Sequence, residues 1–201
     1  MVEFGAVTLI DGAIADVATR VCRPRRPVRG DESRVHGLGD PDLAGAAPFS
    51  DEWERFARYR CTGVLAAHFS GTEHALLRAH WPCPRMSPDF LRAGHESAEW
   101  GPWIDTGRIA YANLPGGCSA SLGDLIATLR LSETLEQWAL RECPPNRRRF
   151  HCALYDAFAT ALLLQRLARE HDGTVWSLAR VLAASVGDGV RRDELMQGRL
   201  F

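Results

Sequence analysis

The chain lacks any apolar run near the ~18 residues that a membrane-spanning helix requires. Its start, Met1-Val2-Glu3-Phe4, has neither the basic residues nor the long apolar stretch of a secretory leader. A cytoplasmic protein with no membrane partner is the expectation. An excess of charge is also missing: the formal net charge is -1. No global basic field therefore marks a nucleic-acid partner, although a local basic rim suffices for an enzyme that must release its product. The six cysteines (Cys22, Cys61, Cys83, Cys118, Cys143 and Cys152) contain no Cys-x-x-Cys pair, and His80 with Cys83 has no second ligand pair downstream. That spacing argues against a structural zinc site and for reduced, packed thiols. No internal repeat and no low-complexity segment is present.

What is there is the mixture of an ordinary globular chain: 201 residues, 46% apolar and 24% charged. This is enough for one domain with a sizeable core, with or without a short tail. The chain opens on a hairpin pattern, since Asp11-Gly12 separates two apolar runs and both positions of such a turn want positive φ. Between residues 23 and 50 prolines and glycines preclude a long element. Asp51 to Arg60 reads as a short helix with Ser50 as its N-cap. Thr62 to Ala67 reads as a buried strand, and a helix follows from Gly71 until Pro82 and Pro84 end it. Residues 88–102 read as irregular. Helical patterns return at 106–112, 121–130 and 133–142, with Thr106 and Ser121 as N-caps, and Pro144-Pro145 breaks the last of them. The longest helical pattern runs from Cys152 to Glu170, with apolar groups at three- and four-residue steps, and another covers Val175 to Ser185. Strands first, then alternation of strands and helices, point to a mixed sheet covered by helices.

By pattern alone, 151–170 is a capped amphipathic helix with Asp156 on its solvated side, and Glu73 is an acid favoured by the helix dipole. Asn146-Arg147-Arg148-Arg149 is either a solvated charge run or a contact for a phosphate backbone. Trp81, Trp100 and Trp103, around a proline-rich loop, either pack or stack on bases.

Several segments, in order, resemble one family. VEFGAVTLIDGAIAD at 2–16 is similar to the strand-hairpin segment of DEDDh-type 3′–5′ exonucleases, the group that includes DNA polymerase III epsilon-like and RNase T-like proteins. The His36-Gly37 pair after the arginine-rich loop fits the same family. VLAAHFSGTEHALL at 64–77 resembles the family's second motif, and HCALYDAFATALLL at 151–164 its His-x-Ala-Leu-x-Asp-Ala third motif. WIDTGRIAYANLP and the Ser-Leu at 121–122 match the family's Asp-Thr and Ser-Leu helix starts. Asp105 is, on that match, a helix start and not a catalytic acid. His68 reads as a structural histidine at a strand end.

The resemblance covers about residues 2–170 and implies an α/β fold of ribonuclease H-like type, with a mixed sheet, an antiparallel hairpin and flanking helices. It implies an exonuclease-like domain over 1–172 and a helical tail over 173–201. The implied activity is hydrolysis of single-stranded DNA or RNA from the 3′ end with two Mg²⁺ or Mn²⁺ ions, hard cations that suit carboxylates. His151 becomes the general base, Glu73 and Asp156 metal ligands, and Arg147, Arg148 and Arg149 contacts to the nucleic acid. Polymerase or repair proteins are the implied partners.

The second motif departs from the family pattern: Phe69 stands where Asn is usual, Thr72 replaces Phe, and Glu73 replaces Asp. The first motif, Asp-x-Glu on a central strand, has no counterpart. Asp11 and Asp16 fall at the hairpin turn and in the strand after it, and Glu3 matches the second strand. Three explanations stand: a gene start placed too late, a degenerate binding relative, or another strand filling the gap. The expectation for this chain is weak or absent cleavage.

Overall fold

In a computed structural model the structure describes residues 1–92, 94–114, 119, 121–170 and 172–186. In chain order the elements are β1 (Glu3–Ile10), β2 (Ala13–Val21), α1 (Gly30–His36), α2 (Asp40–Leu43), α3 (Trp53–Thr62), β3 (Leu65–Ala67), α4 (Gly71–His80), β4 (Ser87–Pro88), β5 (Glu96–Ser97), β6 (Trp103–Asp105), α5 (Thr106–Asn113), α6 (Leu122–Thr128), α7 (Ser132–Glu142), α8 (Ala153–Leu167) and α9 (Leu178–Ser185). Among the described residues no helix is long and apolar enough to cross a membrane. Cys118 and the end of the 173–201 tail, residues 187–201, lie outside the described residues.

The fold is mixed α/β. Its strands pair two by two: β1 with β2 antiparallel, β3 with β6 parallel, and β4 with β5 antiparallel. The single mixed sheet anticipated from the chain is thus three separate ladders among the described residues. The chain divides into two compact units. One comprises Met1–Asp51 and Leu122–Leu163, the other Glu52–Ser121 and Leu164–Phe201.

The first unit is built on the hairpin. Asp11 and Gly12 take φ of 52° and 76°, the left-handed pair that matches strand twist, and the ladder runs from Glu3–Val21 to Ile10–Ala13 with a shift at Thr8/Leu9. Phe4 faces inward, edge-to-face with buried Phe49 at 6.0 Å. The apolar stripe of α8 is buried, and its Phe158 stacks on Trp138 of α7 at 5.4 Å. Gly5 is required where it stands. A Cβ there would lie 2.4 Å from the backbone carbon of Ala153, so β1 runs directly against the first turn of α8.

The second unit packs α9 on β6 and α5. Trp53, Trp81 and Trp100 form an aromatic cluster, in which Trp100 is buried and its indole N–H donates to the Trp81 carbonyl at 2.9 Å. Trp103 donates to His74 Nδ1 at 3.1 Å. The tryptophans of the proline-rich loop are therefore packing residues. Arg60 of α3 is fully buried and donates to the carbonyls of Pro88, Glu99 and Gly101 at 2.9–3.0 Å, which ties down the irregular 88–102 segment.

Three helix starts differ from the expected ones. Residues 49–52 form a 3₁₀ turn, so α3 begins at Trp53 and Ser50 does not cap it. Asp105 caps α5, and Thr106 is that helix's first residue. Ser177 caps α9, which shortens the 175–185 pattern to begin at Leu178.

Candidate functional site

In the first unit the chain around α8 is shaped by opposed charges. Pro144-Pro145 ends α7, and a 3₁₀ turn at Pro145–Arg147 leads into His151, whose φ is 68°. This left-handed backbone is uncommon for a residue with a Cβ and is held by the surroundings. The holding group is Asp156, whose carboxylate oxygens accept the His151 backbone N–H at 3.1 and 3.3 Å. The His151 side chain stays exposed. His151 and Asp156, both implied by the resemblance, are thus brought together at one helix start.

Glu3 completes that corner. Its carboxylate accepts the Ala153 N–H at 2.9 Å, an anion on the positive end of α8. It also pairs bidentately with Arg147, Nε to Oε1 at 3.2 Å and Nη2 to Oε2 at 2.5 Å. Both side chains are buried, 9% and 8% exposed. The remaining Arg147 nitrogen, Nη1, donates to the His36 carbonyl at 2.5 Å.

Arg147 is accordingly a structural residue, which corrects its reading as a contact for nucleic acid: all three guanidinium nitrogens are spent inside the protein. Arg148 is similarly occupied, donating to the Cys143 and Leu140 carbonyls at 3.0 and 3.1 Å, where a cation offsets the exposed carbonyls at the end of α7. Arg149 is exposed, and its guanidinium lies over Gly37, where a Cβ would meet it at 2.3 Å. Of the three arginines, Arg149 is the exposed one.

In the second unit Glu73 occupies the first turn of α4 and is exposed. The mass of protein around its carboxyl nevertheless raises its pKa, and the Asp105 carboxylate adds to the rise. Asp105 itself is buried and accepts four hydrogen bonds: Phe69 N at 3.1 Å, Ser70 N at 3.1 Å, Ser70 Oγ at 3.2 Å and Arg108 N at 3.1 Å. One carboxylate therefore pins the chain entering α4 and also caps α5, at the carboxyl ends of the paired strands β3 and β6. Its own N–H donates to Ser185 Oγ at 3.0 Å, fastening α9 to the same point. His68 Nδ1 meets Thr106 Oγ1 at 3.0 Å, in keeping with a structural histidine.

Phe69 takes the left-handed conformation, φ 56°, and is 48% exposed. A bulky residue there stores about 1–3 kcal/mol of backbone strain. In the sequence Phe69 stands out only as a departure from the pattern of the family it resembles. The signal for it was Gly107, which a ring needs beneath it but which in the sequence is simply one more helical glycine.

A metal centre of hard cations needs several carboxylates around one point. Among the described residues of neither unit do three or more His, Cys, Asp or Glu side chains group in that way.

No protein-family model matches the chain, and no curated protein matches it. Among solved structures, it is similar to a chain described as exonuclease X in complex with 5′ overhanging duplex DNA. The two are 24% identical, with 90% of each chain covered and a TM-score of 0.62. At that identity the likeness establishes the fold, which is of exonuclease type.

Proposed function

We propose, from a fold shared with an exonuclease chain, that this protein acts on the 3′ end of single-stranded nucleic acid as a 3′–5′ exonuclease-like protein of ribonuclease H-like architecture. The observation that carries the proposal is the start of α8. There the backbone N–H of His151, an exposed residue at φ 68°, is held by the carboxylate of Asp156. An exposed histidine at a helix start is placed to take a proton from an attacking water. His151 is the proposed general base. Asp156 and Glu73 are the acids proposed to meet Mg²⁺ or Mn²⁺, and Arg149 is the proposed phosphate contact. Because the described residues of neither unit group three donors, no metal-dependent step is assigned, and hydrolysis by this chain is expected to be weak or absent.

A second reading, a nucleic-acid-binding or interaction module without chemistry, is favoured by Glu3. This acid on β1 is neutralised by Arg147 and the α8 terminus and adds no carboxylate to any site.

Both readings are tested with 5′-labelled single-stranded DNA and RNA. Binding is measured by anisotropy in EDTA, and 3′ shortening is followed on a denaturing gel with Mg²⁺ or Mn²⁺. Binding with slow shortening that His151→Ala lowers by about 10²–10⁴ supports the enzyme. Binding without shortening supports the module. If neither strand binds, both readings fail.

A further inference from the structure

We infer that Phe69 is a stacking platform for one nucleobase of the bound strand, an inference that rests on the nucleic-acid reading above. Its ring is fixed in place and yet turned to water. The backbone is clamped from below, with Asp105 accepting both the Phe69 and the Ser70 N–H at 3.1 Å, which holds φ at 56°. The ring itself lies on Gly107 of α5. A Cβ on residue 107 would come within 2.7–2.9 Å of three ring carbons, so only glycine lets an aromatic side chain settle there. The His68 ring abuts it edge-on at 4.7 Å. Despite these contacts Phe69 remains 48% exposed, and Tyr111, one turn beyond Gly107 on the same helix, is 83% exposed. The Arg108 guanidinium, 56% exposed, is held beside the clamp by Asp105 at 3.5 Å.

A flexible exposed phenylalanine is an accident of composition. One that is immobilised in a strained conformation on a glycine seat presents a rigid flat surface, and a planar ring is the ligand such a surface fits. The Arg108 cation, paired with the same Asp105 that clamps Phe69, supplies what a strand's phosphate requires. A protein partner fits less well, because a specific protein interface buries about 800 Å² per partner, far more than one ring offers. Phe69 stands where Asn is usual in the family that the sequence resembles, so the surface is not carried over from that resemblance.

The test uses the full chain in EDTA, so that no strand is consumed. A single-stranded DNA about 8 nucleotides long carries the fluorescent base 2-aminopurine at successive positions from its 3′ end, and a matched strand is abasic at the same positions. The wild-type protein is expected to quench 2-aminopurine at one position and to bind the strand abasic there about 10-fold more weakly, the effect of one aromatic stack. Phe69→Tyr should keep both signals. Phe69→Leu and Phe69→Gly should lose the quench and lower affinity for the intact strand by the same factor. Phe69→Gly relieves the left-handed strain, so loss of binding there does not come from a backbone that refuses to fold, and circular dichroism verifies this. Unaltered quenching and affinity in both variants, or equal wild-type binding of intact and abasic strands, would overturn the inference while leaving the nucleic-acid reading intact. If the wild-type protein binds neither strand, both fall together.

Discussion

Exchanging Arg147 for methionine is the sharpest probe of how the first unit is held. The side chain lies in a nearly closed pocket with Glu3, and the two make a bidentate pair at 3.2 and 2.5 Å. Arg147→Met keeps the apolar stem but strands the Glu3 carboxylate without its counter-charge and leaves the His36 carbonyl without its donor. Breaking one side of a buried pair costs about 3–5 kcal/mol. For a chain of this size, that lowers the thermal midpoint by on the order of 10 °C. A second exchange, Glu3→Gln, removes the stranded charge and keeps an oxygen for the Ala153 N–H. The double variant Glu3→Gln/Arg147→Met should therefore recover about 2 kcal/mol of the single variant's loss. Urea unfolding followed by circular dichroism gives each value, and salt titration of strand binding supplies the contrast. A phosphate-binding arginine would leave stability near wild type and flatten the salt dependence. A loss under about 1 kcal/mol in Arg147→Met, well below the range for a buried pair, would refute the structural role.

Two further outcomes follow from the same structure. Gly5→Ala drives a Cβ to 2.4 Å from the Ala153 carbon and the Leu154 nitrogen, backbone atoms that cannot swing aside. It should cost about 3 kcal/mol, the upper part of the overpacking range, in urea unfolding, and an unaltered midpoint would show that β1 does not touch the start of α8. Burial pushes the Cys143 thiol up to about 11, so that at pH 8 only about one molecule in a thousand carries the thiolate there. Iodoacetamide on the folded protein, read by mass spectrometry, should modify exposed Cys83 and spare Cys143 until pH approaches that value or the protein unfolds. Equal rates at Cys83 and Cys143 would contradict the burial.

Much of the fold was readable along the chain because its signals are local. Asp11-Gly12 specifies its turn through backbone φ, and the hairpin forms there. The three- and four-residue apolar steps of 152–170 became α8, shortened to Ala153–Leu167. Local reading failed at helix starts with competing caps. Ser50 lost to a 3₁₀ turn, and Thr106 lost to Asp105, one residue earlier, because a buried carboxylate with several donors outbids a single hydroxyl. The arginine run misled for a different reason. Arg147, Arg148 and Arg149 are equivalent as letters, yet one is buried, one closes a helix end and one faces solvent.

The amino-acid order by itself determined the turn and the helical stretches, since both depend on residues a few positions apart. Only the tertiary structure decided that Glu3 seats itself on α8 with Arg147, a residue 144 positions away, and that Phe69 in its turn finds a glycine on α5. Pairings of that kind depend on which surfaces the packed elements bring into contact. Periodicity and propensity, which act over a few neighbouring residues, carry no record of it.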